Sequence, residues 1–224
     1  MQSKLLMLRH WRKIYQFKAL LEIFRGDAIA ARQAAETVVR LGRDHGLAIA
    51  LGWGTPCLWW SHARLGELET GIMELRQAVA RYQDQGNKVL LPLFKGLLAD
   101  IEAVADGAKA AMPRIDEALT LTRSGEHWAD AFLHRMRGEI LLKLDPLKTE
   151  PAEEAFNAAI TIAREQKARM FELHAAMSLA RLWRDQGKVQ QARELLAPVY
   201  GWFTEGFDTR DLKEAKALLE ELAA

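Results

Sequence analysis

The stretch Gly71–Gly86, GIMELRQAVARYQDQG, decides the fold. Ile72, Leu75, Val79 and Tyr82 fall at i, i+3, i+7 and i+10 and so line one side of an α-helix. The segment opens on a small residue and ends at a glycine turn, and both marks recur along the chain. Small residues stand at Ala31, Gly71, Ala111, Ala152 and Ala192, with spacings of 40, 40, 41 and 40. Four positions later, most copies carry a larger apolar residue: Leu75, Ile115, Phe156 and Leu196. Close helix contact needs small side chains, so this register describes the second helix of a repeated pair.

The turns set the length of the pair. Gly26, Gly66, Gly107 and Gly187 are separated by 40, 41 and 80 residues, and a second series, Gly46, Gly86 and Gly125, runs half a period out of phase. Two turns in each period of about forty residues mean two helices per repeat, each nearly a turn longer than in the tetratricopeptide repeat, whose period is about 34. The pattern predicts eleven helices, over roughly 4–24, 27–43, 47–64, 67–84, 88–105, 108–123, 126–144, 151–165, 168–185, 188–203 and 209–222. The fold class is therefore all-α: a right-handed α-α superhelix of tetratricopeptide-like hairpins with a C-terminal capping helix, read as one domain over 1–224 with the cap in 205–224. Pro56, Pro113 and Pro198 fall inside predicted helices and are expected to kink or split them. Pro146 ends a helix, and Pro151 opens the next at a first-turn position, with Glu153 and Glu154 near its positive end.

Composition narrows the function classes. Half of the 224 residues are hydrophobic, and 31 lysines and arginines balance 30 acidic residues. No overall basic field favours nucleic acid. The single cysteine, Cys57, excludes an internal disulfide framework and a cysteine-rich zinc site. Arg9, Arg12 and Lys13 stand where a signal peptide would place its apolar core, so the expected location is the cytoplasm. The charge-free run between Asp44 and Arg64 is diluted by three glycines, two histidines and Pro56, so no membrane span is expected.

Two stretches carry a resemblance. The segment Glu172–Leu222, ELHAAMSLARLWRDQGKVQQARELLAPVYGWFTEGFDTRDLKEAKALLEEL, closely resembles the C-terminal part of bacterial multidomain signalling proteins. Those proteins join a class III adenylate/guanylate cyclase domain or a winged-helix domain to an AAA-like ATPase and a tetratricopeptide-like array. Leu133–Leu142, LHRMRGEILL, and Gly71–Gly86 look like earlier repeats of that array. The resemblance implies a regulatory helical array used for protein contacts or sensing. The GxxxxGK[ST] phosphate loop is absent, because Gly187-Lys188 lacks both the upstream glycine and the following hydroxyl, and no stretch ahead of the array would form a cyclase. Neither catalytic activity carries over.

Few side chains suggest chemistry. His127, Asp130 and His134 share a helical face but lack a fourth metal ligand, and no metal or other cofactor is expected. Cys57 with His62 has the composition of a thiol and its base. Five residues apart on one apolar helix, the pair reads instead as core and helix-end residues. Glu153 with Glu154 and Glu220 with Glu221 read as solvated charge. In GWGTPCLWW, Trp59 falls where a first helix carries its small packing residue and is expected in the core, while Trp53 and Trp60 stand between core and aromatic pocket.

First helices line the concave surface of such arrays. With the glycine turn as ruler, the inward-facing positions are Lys13, Trp53, Trp60, Arg64, Asp100, Arg181 and Arg184. Arginines beside tryptophans suit an acidic or C-terminal peptide, which makes a noncatalytic protein- or peptide-binding module the expectation. A small-ligand sensor with an aromatic pocket near Trp53 and Trp60 is the alternative, and the oligomeric state is open, a homodimer included. At the C-terminus Leu212, Ala215, Leu219 and Leu222 form an apolar stripe, with Lys213, Glu214, Lys216, Glu220 and Glu221 turned away. Asp208 is the expected N-cap, Gly201 and Gly206 let the chain turn back, and Tyr200, Trp202, Phe203 and Phe207 fill the joint.

Overall fold

The computed structural model describes residues 2–123 and 127–223. Among the described residues it contains eleven helices and no strand. They are α1 (Gln2–Phe24), α2 (Ala28–Asp44), α3 (Ala48–Arg64), α4 (Leu68–Asp84), α5 (Leu91–Ala105), α6 (Ala108–Thr122), α7 (Asp130–Leu144), α8 (Glu150–Glu165), α9 (Arg169–Asp185), α10 (Val189–Tyr200) and α11 (Arg210–Glu221). The chain divides into two compact units, Met1–Ala105 and Asp106–Ala224.

The turns work as the sequence predicts. Gly26, Gly46, Gly66, Gly86, Gly107 and Gly187 all have positive φ, which glycine adopts at no steric cost; Gly107 does so as the N-cap of α6, with an extended ψ of 159°. Gly125 of the same series lies outside the described residues. Lys167 takes a positive φ in the turn between α8 and α9, where no glycine is present. Pro56, Pro113 and Pro198 each sit within an unbroken helix, so none splits its element. Pro151 lies in the first turn of α8, where its missing N–H has no intrahelical partner to lose.

Packing follows the period of small and large residues. Ala31, Ala111, Ala152 and Ala192 are fully buried, as are Leu75, Ile115, Phe156 and Leu196. Gly71 marks the closest approach: a Cβ placed there would lie 2.7 Å from the backbone nitrogen of Ala63 in α3. In unit 1, consecutive helices from α1 to α5 pack against each other; α3 also touches α1 and α5, whereas α2 and α4 do not meet. In unit 2, α9 likewise touches both α7 and α11, and α8 and α10 do not meet. First helices thus form the inner row within each unit.

The final helix closes the core of unit 2. Leu212, Ala215, Leu218 and Leu222 are buried against Leu173, Met177 and Leu196. Leu218, rather than the expected Leu219, completes the stripe; Leu219 is only half-buried. The helix begins at Arg210 with Thr209 as N-cap, not Asp208, and the Thr209 hydroxyl donates to the Gly206 carbonyl at 2.6 Å. Gly206 has positive φ, whereas Gly201 has an ordinary helical backbone. Tyr200 and Phe203 pack partly on the core, but Trp202 is 55% exposed and carries the guanidinium of Arg169 at 5.2 Å.

Candidate functional site

Three of the seven residues expected to face inward converge in unit 1. α3 places Trp60 and Arg64 one turn apart, and α5 brings Asp100 opposite them. Trp60 Nε1 donates to Asp100 Oδ2 at 3.0 Å, and Arg64 Nη1 lies 3.7 Å from Asp100 Oδ1. The Arg64 guanidinium stands 5.9 Å from the centre of the Trp60 ring, a cation–π distance. The sequence separation of Trp60 and Asp100 is 40, one repeat, so the same register position in successive first helices supplies both.

Trp60 is only 4% exposed and its indole N–H is satisfied, so it is a wall of the site rather than an open pocket. Trp59, expected in the core, is half-buried with its ring against His62 at 5.1 Å. The reason is rotation: Ala50, Gly54, Cys57 and Ser61 form the buried stripe of α3, and Trp60 lies nearer to it than Trp59. Trp53 is half-buried and meets Phe17 of α1 edge-on at 5.9 Å. Lys13 lies elsewhere, on a cleft of about 610 Å³ that it lines with His10, Arg12 and the start of α3.

In unit 2, Arg181 and Arg184 do not face an empty groove. Arg181 Nη2 lies 3.4 Å from Glu214 and Arg184 Nη1 lies 2.6 Å from Glu221, both carboxylates belonging to α11. Glu214 and Glu221, expected to point away, reach back to the array and tie the cap to α9. Arg181 also borders a cleft of about 400 Å³ with Glu139, Thr149, Ser178 and Gln186.

Beneath that surface is a polar cluster with no signal in the linear sequence. His174 Nε2 of α9 lies 3.5 Å from Asp211 Oδ2 of α11, and the Ser178 hydroxyl donates to Glu139 Oε1 at 3.1 Å. Arg135 of α7 also donates to Glu139. Burial pushes the His174 imidazole below its ordinary 6.5, against the raising effect of Asp211 and Glu139, while Arg135 lowers it further. The hydrogen bond from His174 holds the Asp211 carboxyl well below its ordinary 3.8.

Both groups therefore bind protons less readily in the folded chain than in the unfolded one. The stability contributed by His174 is complete above pH 6.5 and is lost as pH falls toward its depressed folded value; that of Asp211 is lost below the ordinary carboxylate range. Tm should be lower at about pH 5 than at about pH 7.5, with a slope of at most about 1.4 kcal/mol per pH unit from one histidine proton. His134, also lowered by burial, acts in the same direction, so a variant is needed to isolate His174. Asp211→Asn removes the anion that supports the imidazolium and should steepen the fall in Tm over this range. A flatter profile in the variant would refute the pairing.

The remaining candidates are accounted for by packing and surface hydrogen bonds. The Cys57 thiol is buried and pushed up to about 12 by desolvation, so it stays protonated and is not paired as a nucleophile with His62. His62 instead lies 3.0 Å from Glu67. His127 Nδ1 is 3.1 Å from Asp130 Oδ2, and among the described residues no group of three or more His, Cys, Asp or Glu could hold a metal ion. No described helix is long and apolar enough to cross a membrane. In comparisons with known proteins, the chain matches no family model and no curated protein.

Proposed function

We propose that the chain is a noncatalytic interaction module that binds a protein or peptide on the row of first helices, in the cytoplasm, within bacterial signalling or transcriptional control. The setting rests on the resemblance of its C-terminal repeats. The peptide-binding reading rests on Arg64. Its guanidinium is oriented by the Trp60 ring and by a single long contact to Asp100, and the side chain remains exposed. Most of its N–H donors are thus available to a carboxylate in a fork geometry.

Panning a displayed peptide library on the protein should enrich sequences with acidic side chains or a free C-terminal carboxylate. Arg64→Ala should weaken their binding by about tenfold or more, as expected of an arginine anchor, with little change in stability, because an exposed ion pair contributes little. Arg81→Ala, on α4, should leave binding unchanged. Enriched peptides that bind Arg64→Ala as tightly as wild type would overturn the reading.

A small-ligand sensor is the second reading, and the observation favouring it lies in unit 2 rather than at Trp53 and Trp60. The cleft beside Ser178 and Arg181 is lined by Gln186, whose Oε1 is buried and has no hydrogen-bond partner. An acceptor in that position suits a ligand that donates an N–H or O–H.

A further inference from the structure

The helix α1 carries a second surface, distinct from the Arg64 site. Its buried side is formed by Gln16, Ala19, Leu20 and Ile23. On the far side His10, Ile14, Phe17 and Leu21 recur at i, i+4, i+7 and i+11 and so form one outward stripe. Ile14 is 56% exposed and Phe17 61%, with Trp11 and Leu21 also open beside them. Single exposed apolar residues are ordinary, but four neighbouring ones on one helix face mark a contact surface.

Charge decides what covers it. The helix contains Lys4, Arg9, Arg12, Lys13 and Lys18 against one carboxylate, Glu22, which lies 3.4 Å from Arg25. No ion pair among the described residues engages Arg12, Lys13 or Lys18. Lys13 and Lys18 flank the apolar stripe on opposite sides. The cleft of about 610 Å³ lies on the Lys13 flank, with His10, Arg12 and the start of α3 around it and no acidic residue in its lining. The N-terminus of α3 has no side-chain cap, so its backbone adds positive field at the same place. A second copy would set one basic helix against another, which like-charge repulsion opposes. A flat lipid surface would leave the cleft unfilled.

We propose that α1 and the adjoining cleft dock an acidic amphipathic helix of a partner protein, its apolar side on Ile14 and Phe17 and its carboxylates on Lys13 and Lys18, which are both exposed. This is helix-in-groove recognition, in which apolar anchors at i, i+3 or i+4 and i+7 supply affinity and flanking charge supplies selectivity. Trp53, which touches Phe17 from α3, stands at the edge of the surface.

The test uses the full chain and two synthetic helices about 15 residues long, enough to span the stripe at about 1.5 Å per residue. Both present the same leucine face, with flanks of glutamate in one and lysine in the other. Fluorescence anisotropy should show the glutamate peptide binding at least about tenfold more tightly than the lysine peptide, with affinity falling as salt is raised. The variants Ile14→Ser/Phe17→Ser and Lys13→Glu/Lys18→Glu should each weaken it by about tenfold or more. Arg64→Ala should not, which separates this surface from the proposed peptide site. Equal binding of both peptides, or of neither, overturns the proposal. Capture by phosphatidylserine vesicles without peptide binding would assign the face to a membrane. A dimeric solution mass that Ile14→Ser/Phe17→Ser makes monomeric would assign it to a second copy.

Discussion

Replacing Phe156 with alanine should destabilise the protein by about 3–5 kcal/mol, the range for emptying a fully buried aromatic site. Phe156 is completely buried in the core of unit 2, where Leu173, Leu179 and Leu196 surround the same space. Its ring lies against Gly138 of α7: a Cβ added there would lie 2.7 Å from Phe156 Cδ1. Gly138→Ala alone should therefore cost about 1–3 kcal/mol through overpacking, despite alanine's better helix propensity. In the Phe156→Ala background the obstruction is gone, and the same change should become neutral or stabilising by up to about 1 kcal/mol. Urea unfolding of the four proteins gives the coupling directly, expected at about 1–4 kcal/mol. Additive effects would mean that glycine and ring do not share the space.

The second large effect is at the helix crossing of unit 1. Gly71→Leu should destabilise the protein by about 3 kcal/mol or more, because the new side chain has nowhere to go. The atoms in its way are backbone: Ala63 N at 2.7 Å and Cα at 2.8 Å from a Cβ on Gly71. A side chain can change rotamer, but here α3 and α4 would have to separate along a close-packed seam. Gly71→Ala should also be destabilising, by about 1 kcal/mol or more, against a propensity gain of similar size in the opposite direction. Circular dichroism during urea unfolding reads both. A stabilised Gly71→Ala protein would show that the seam opens freely and that the small residue there has no packing role.

Both predictions rest on residues that the sequence marks on its own. Gly71 and Phe156 belong to the series of small and large positions forty residues apart, and the series is legible because each repeat solves the same local packing problem. The candidate site is legible only in part. Trp60 and Asp100 stand one repeat apart, so a ruler laid on the turns finds both, although it assigns the core to Trp59 instead of Trp60. One residue of error rotates a side chain by about 100° on a helix, which is enough to exchange core for surface. The same one-residue limit appears at Leu218 and Leu219 in α11.

Charge partners were beyond that ruler. The ruler singles out Arg181 and Arg184, but their pairing with Glu214 and Glu221 depends on how far α11 folds back over α9. His174, Asp211, Arg135 and Glu139 come from three helices and have no common spacing, so no window of sequence contains them together. Helix positions, turn glycines with positive φ, and the small and large packing positions were set by the sequence alone, because each depends on a few neighbouring residues. The face each tryptophan presents, the ion pairs that hold the cap, and the buried His174–Asp211 contact were decided by tertiary structure, because they depend on the rotation and approach of helices distant in the chain.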